Sequence, residues 1–134
     1  MAESESITDD SSIGNEDELW RRIPNWWIVP DENRGSFRPA SAAFDDDRDG
    51  PMSVFLASVM AQIGRTPEHV LIGHDGYGLC GVAALIVRRE GQIIVRRPTE
   101  AEPAHAEVVG SKTGGVRKRI SREARWIIQP SPQT

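Results

Sequence analysis

The chain has 134 residues, 38% of them hydrophobic and 27% charged, with a formal net charge of −4. That length supports one domain that buries about two-thirds of its unfolded surface, which excludes a multidomain enzyme, a (β/α)₈ barrel and a full dinucleotide-binding fold. The charge is uneven: residues 1–50 carry thirteen acidic residues and five arginines, a net −8, whereas residues 51–134 carry seven acidic and eleven basic residues, a net +4. A global −4 argues against non-specific nucleic-acid binding, but it averages two unlike halves.

Residues 1–18 hold seven acidic groups, no basic ones, and only Ile7 and Ile13 as sizeable apolar side chains. So little apolar surface does not offset ordering entropy, and a disordered acidic tail is expected whose removal costs little stability. Leu19 to Ile23 reads as a short strand stopped by Pro24. Trp26 to Val29 is apolar and boxed between prolines, Asp31 to Arg38 reads as a polar loop, and Ser41 to Phe44 as a second strand. Asp45, Asp46, Asp47, Asp49 and Gly50 form an acidic turn. It lacks the alternating ligands and terminal Glu of a calcium loop, so a solvated turn is expected.

Met52, Phe55, Leu56, Val59, Met60 and Ile63 follow a 3–4 spacing, which predicts a helix ending before Gly64; a strand over Met52 to Val54 leading into it is the alternative. Thr66-Pro67-Glu68 is a helix start, with a hydroxyl to cap, a proline at the first position and an acid against the dipole. Leu79 to Ala84 reads as a buried strand, Leu85 to Glu90 as a helical turn and Gln92 to Arg97 as a strand. A hairpin of 82–89 with 92–97 through Glu90-Gly91 is the rival. Ala104 to Val109 is a further strand and Val116 to Arg125 the last helix, after which Trp126 to Ile128 packs back or pairs. The expected fold is a small single-domain α+β protein, with a mixed or antiparallel sheet and two or three short helices. It spans residues 19–129, followed by a frayed end at 130–134.

Five pieces of this chain carry a resemblance: Leu19-Trp20-Arg21-Arg22-Ile23, Ser41-Ala42-Ala43-Phe44, Met52-Ser53-Val54, Thr66-Pro67-Glu68 and Pro103-Ala104-His105-Ala106-Glu107-Val108. The set is similar to a family of small bacterial proteins of uncharacterised function, with an LxRxI opening, an SxAF strand, an LSV step, a TPE helix start and a late HAxV strand. Met52 replaces the usual Leu of the third piece, the spacer after it is longer, and the acidic tail has no counterpart. The resemblance implies an α+β layout and a bacterial cytosolic origin, and it brings no activity.

The loop Gly110 to Gly115 lies between a predicted strand and a predicted helix. Its backbone N–H groups, the helix N-terminus and the Lys112 ammonium are candidate anion donors. The Walker pattern fails, because Ser111 and Ala106 stand where glycines are required. At 100° per residue Val116, Ile120, Ala124 and Ile127 fall within an arc of about 80°. Arg117, Lys118, Arg119, Arg122 and Arg125 occupy the rest. With Lys112 they give residues 110–126 a local +5, a face able to neutralise phosphates. A solvated helix face, or docking of the chain's own acidic tail, is the plainer explanation.

Strand alternation puts His105 and Glu107 on one face, suited to acid–base work or to a structural hydrogen bond. His69 and His74 straddle a helix end, so no metal site is legible. The order of residue types also resembles ADP-ribosyltransferase-like folds. That likeness implies that Arg22, with Arg21 beside it, binds a pyrophosphate, Ser41 orients a nicotinamide ribose, and His105 or Glu107 holds a 2′-hydroxyl or stabilises oxocarbenium charge. It demands that these side chains converge on one pocket. Trp26-Trp27 is either an exposed binding patch or a core cap, and Cys80 is expected to be a small buried hydrophobe.

The favoured reading is a cytoplasmic, non-enzymatic binding protein whose basic C-terminal helix face (Lys112, Arg117, Lys118, Arg119, Arg122, Arg125) contacts a protein or another anionic ligand, with nucleic acid as one candidate. The alternative is an ADP-ribosyltransferase-like enzyme, or a binder of ADP-ribose or NAD-type nucleotides, acting through Arg22, Ser41, His105 and Glu107. The sequence names no cofactor. No membrane partner is expected, because the longest apolar run, Val82 to Val87, is too short to cross a bilayer and the N-terminus is acidic where a secretory signal is basic. One cysteine excludes an internal disulfide and fits a reducing cytosol.

Overall fold

The structure, a computed structural model, describes residues 7–31, 33 and 36–130. Among the described residues there are eight strands: β1 (Glu18–Ile23), β2 (Ile28–Asp31), β3 (Ser36–Pro39), β4 (Met52–Leu56), β5 (Gly78–Ala83), β6 (Ile93–Arg96), β7 (His105–Val109) and β8 (Arg125–Ile128). Six of them form one sheet in the order β6-β7-β4-β1-β5-β8, while β2 and β3 make a separate hairpin. Every described neighbouring pair is antiparallel. Among the described residues three helices, α1 (Ala57–Gln62), α2 (Ala84–Arg89) and α3 (Gly114–Glu123), complete the α+β fold, with 3-10 turns at Ser41–Phe44 and Pro67–Leu71.

The sheet has apolar cover on both faces. Leu19, Ile23, Met52, Val54, Leu56, Val82, Ala106 and Val108 point to one side, where Val87 of α2 and Val116 and Ile120 of α3 complete the main core. Trp20, Phe55 and Leu79 point to the other and meet Met60 of α1 and Val70 of the second 3-10 turn. Central strands covered twice are apolar at consecutive positions, so β4 mimics a helical repeat. The expected helix over 52–63 is therefore a strand followed by a short helix, as the alternative had it.

Two helix ends decide the local topology. Gly91 has φ 79° and follows α2; its N–H donates to Arg88 O, and the N–H of Gln92 donates to Val87 O. This is a Schellman cap, which needs a left-handed residue and so favours glycine. Glu90-Gly91 thus ends a helix and is not a hairpin turn, which discards the rival pairing of 82–89 with 92–97. Gly64 closes α1 with the same pair of bonds, to Ala61 O from its own N–H and to Met60 O from Arg65.

The structure corrects several expectations. Ser41–Phe44 is a 3-10 turn: the Ala43 N–H donates back to Ala40 O at 3.0 Å, Ala43 and Phe44 are buried, and Arg21 Nε donates to Ala43 O at 2.9 Å in place of a ladder partner. The expected polar loop from Asp31 to Arg38 has a strand at each end, in register from Ile28↔Pro39 to Asp31↔Ser36. Thr66 starts the second 3-10 turn without a side-chain cap bond.

The largest correction concerns residues 1–18. Residues 1–6 lie outside the described residues, but 7–18 lie against the domain. Ile13 is 1% exposed within the main core. Asp9 and Asp10 pair with Arg88 and Arg96, and the N–H groups of Ala84 and Leu85 at the start of α2 donate to Asp17 O and Asn15 O. One buried isoleucine and a set of satisfied helix-end donors supply what the composition of the segment lacks. The folded unit therefore begins well before residue 19. Of the expected frayed end, Pro130 packs against Gly78, where an added Cβ would lie 2.6 Å from the proline ring, and 131–134 lie outside the described residues.

Candidate functional site

The basic C-terminal segment is sorted by its counter-ions. The Lys112 side chain is 1% exposed, and its ammonium donates to Asp46 Oδ1 at 2.7 Å, Val108 O at 2.9 Å and Gly110 O at 3.1 Å. An ammonium has three donors, and all three are occupied. Arg117 donates to Lys112 O at 2.7 Å and lies 3.6 Å from Asp45. Arg119 meets Glu90 at 2.6 Å, and Arg125 grips both oxygens of Glu18 at 2.7 and 3.0 Å. The Gly110–Gly115 loop is thus an internal latch. Its Thr113 hydroxyl accepts from Val116 N–H and caps α3, and Lys112 turns inward. The acidic turn is correspondingly not a free solvated one: Asp45, Asp46 and Asp47 face Arg117, Lys112 and Arg21.

Lys118 and Arg122 remain. Among the described residues neither enters an ion pair, and the same holds for Arg38 on β3. These three cations line one cleft of about 490 Å³ between the β2–β3 hairpin and α3, together with Ser41, Ser121 and Asp31. On β3 Pro39 is buried and Arg38 exposed, and the arc of α3 opposite Val116 and Ile120 presents Lys118 and Arg122. The Ser121 hydroxyl donates to Pro39 O at 3.3 Å and ties the hairpin to the helix. The sequence does not single out Arg38, because the segment holding it reads as a polar loop.

The residues of the nucleotide reading do not come together. Ser41 lines this basic cleft, whereas Arg22 lines another, of about 290 Å³, beside Ser53, Phe55, Trp26, His74 and Tyr77. Arg22 sits against the second core, with Nε donating to Val70 O at 2.5 Å and its guanidinium carbon 4.6 Å from the Phe55 ring centre. Burial pulls the Arg22 pKa below its ordinary value, and the Glu102 carboxylate opposes that shift. Arg21, next in sequence, is buried and fully engaged with Asp47 and the carbonyls of Ala43, Asp45 and Ser53.

His105 and Glu107 do share a face of β7, as alternation requires. Glu107 meets Arg97 at 3.3 Å. His105 Nε2 lies 3.1 Å from Ser53 Oγ and its Nδ1 lies 2.8 Å from Arg97 O. The serine beside the histidine is therefore Ser53, not Ser41. The signal for it was the Met52 to Val54 strand reading, which puts Ser53 and Phe55 on one face; which strand lies alongside was not legible. Trp26 is 58% exposed and stands edge-on to Tyr77 at 5.7 Å, whereas Trp27 packs on the main core. Cys80 is buried in the central sheet, and burial pushes its thiol pKa up.

Among the described residues no group of His, Cys, Asp or Glu is arranged to hold a metal ion, and no helix is long and apolar enough to cross a membrane. Compared with protein-family models, curated proteins and solved structures, the chain matches none.

Proposed function

We propose that this protein is a binding protein whose anionic partner docks in the cleft between the β2–β3 hairpin and α3. The observation that carries this reading is the convergence of Arg38, Lys118 and Arg122, three cations without an ion pair among the described residues, on one concave surface. Three cations against the Asp31 carboxylate leave the cleft with a positive local potential that attracts a phosphate or carboxylate. Two guanidinium groups favour planar oxyanions, and the Ser41 hydroxyl adds a neutral donor. The cleft volume suits a small ligand or a short acidic segment of a protein. This narrows the surface expected from the sequence, since Lys112, Arg117, Arg119 and Arg125 are held by carboxylates of the chain itself. The bacterial family resemblance and a cytosolic location belong to the same proposal, the latter supported by one buried thiol.

The test is titration of the full chain with pyrophosphate, a short single-stranded DNA and a poly-glutamate peptide, followed by thermal midpoint and calorimetry. A ligand specific for the native state raises the midpoint by mass action. Lys118→Glu with Arg122→Glu should abolish the response while leaving the fold intact, and raising salt from 50 to 200 mM should weaken it steeply. No response to any of the three probes, or an unchanged response in the double variant, discards the cleft.

A further inference from the structure

On the opposite face of the sheet, Ser53, His105 and Arg97 form a relay that the binding reading does not use. The Arg97 carbonyl can only accept, so the neutral His105 ring carries its proton on Nδ1 and donates it there at 2.8 Å. Nε2 is then a bare acceptor, 3.1 Å from Ser53 Oγ, and the Ser53 hydroxyl donates to it. This is the arrangement of an activated nucleophile, with the base held in one tautomer by a third group. Strand pairing fixes it: β4 and β7 run Phe55↔His105 and Ser53↔Glu107, and the tilted Phe55 ring lies 5.9 Å from the imidazole. The Ser53 backbone is held as well, its N–H donating to Asp47 Oδ2 and its carbonyl accepting from Arg21.

Ser53 opens on the 290 Å³ cleft, and Arg22 stands on the neighbouring strand on the same sheet face. Nε of Arg22 donates to Val70 O and its guanidinium lies over the Phe55 ring, while its two terminal nitrogens make none of the described hydrogen bonds. Trp26, Tyr77 and His74, packed edge to face, wall the cleft with flat apolar surface.

We propose that Ser53 is a catalytic nucleophile for acyl transfer from small carboxylic esters with an aryl group, with His105 as its general base and Arg22 as the cation that stabilises the oxyanion. Ser53 Oγ bonds to the ester carbonyl carbon as its proton passes to His105 Nε2. The carbon–oxygen bond to the leaving alcohol then breaks, and that alcohol takes the proton from Nε2. Water adds to the acyl-serine, giving its proton to Nε2, and Ser53 Oγ departs with that proton, so one ester and one water give one acid and one alcohol. Arg22 holds the negative charge on the carbonyl oxygen in both halves of the reaction.

The test is to incubate the full chain with a biotinylated fluorophosphonate and with 4-nitrophenyl acetate, and to locate adducts by peptide mass mapping. The expected result is one adduct on Ser53, absent in Ser53→Ala, and labelling slowed about 100-fold in His105→Gln. Ser53→Cys gives an independent measure: its alkylation by iodoacetamide should be accelerated in a manner lost on adding His105→Gln, while buried Cys80 stays silent. Failure of the folded wild-type chain to label at Ser53, labelling indifferent to His105, or alkylation of Ser53→Cys at the same rate with and without His105 would each overturn the proposal. The wild-type mapping decides even if a variant does not fold. None of these readouts involves Arg38, Lys118 or Arg122, so a failure here is separable from a failure of the anion-binding reading.

Discussion

The Asp17 carboxylate holds Ser58 twice, taking its backbone N–H at 3.1 Å and its hydroxyl at 2.6 Å across 41 residues of sequence. Ser58 is the second residue of α1, whose own start lacks a side-chain cap, so Asp17 supplies the cap from another part of the chain. Its backbone carbonyl meanwhile accepts from the start of α2. Asp17→Ala should cost about 1 kcal/mol, the usual value of an N-cap, and lower the thermal midpoint by about 4 °C. Ile13→Ala should cost about 3 kcal/mol because its site is a closed core. Denaturant titrations of both variants and of the chain lacking residues 1–18 check this. The truncation should be the least stable of the three, the reverse of what the composition of the segment implies.

Lys112 distinguishes a structural cation from a binding one. Lys112→Met keeps the length of the side chain but leaves the Val108 and Gly110 carbonyls without their donor. A loss of about 2–3 kcal/mol is expected, since each orphaned buried acceptor costs about 1–3 kcal/mol. Affinity for an anion in the α3 cleft should not change. Chemical denaturation and calorimetry on the same sample separate the two effects, and a stable variant with weakened binding would return Lys112 to the ligand surface.

Acid should loosen the N-terminal segment first. The Ser12 hydroxyl and N–H, aided by the positive charge of Arg96, hold the Asp10 carboxyl below its ordinary value of 3.8. A carboxylate with a lowered folded-state pKa adds stability above its unfolded pKa and loses it as pH falls through the folded value. Stability should therefore decline on acidification below about pH 4, and Asp10→Asn should flatten that decline without affecting the plateau's shape near neutrality. Denaturation midpoints measured from pH 7 to pH 2 provide the check; identical slopes in both proteins would remove Asp10 from the acid response.

Cys80 reports on opening of the central sheet. It lies on β5, between β1 and β8, with its thiol buried in the main core and pushed toward the protonated form. Reaction with a chromogenic disulfide reagent should be negligible in the native protein and complete in denaturant. Fast labelling of the native chain would mean that β8 frays readily from β5.

The class of fold was legible because local chemistry is explicit. A proline or glycine adjoins at least one end of Leu19 to Ile23, Leu79 to Ala84 and Ala104 to Val109, and each carries a strand. The helix positions of Val116 and Ile120 were equally clear, and both are buried. What escaped was long-range. Nothing near Ile13 in sequence reveals that a gap in the main core is waiting for it, and nothing near Ser53 reveals that His105 lies across the β4–β7 register. The helical period puts Arg119 on the solvent face among the expected binding cations, but its partner Glu90 sits on another helix end. Charge counts along the chain do not distinguish a cation awaiting a ligand from one already neutralised by a distant carboxylate.

The opposite net charges of the two halves are largely reconciled within the fold. Asp9, Asp10, Glu18, Asp45 and Asp46 meet Arg88, Arg96, Arg125, Arg117 and Lys112. β1, in the middle of the sheet, also needs β5, some sixty residues later, as its second neighbour. During synthesis the anionic first part leaves the ribosome well ahead of the arginines that neutralise it. Closing these pairs requires loops that span most of the chain, whose closure entropy is offset only when the distant partners meet. The six-stranded sheet and its charge balance are therefore complete only once the segment bearing Arg125 is in place beside β5 and Glu18.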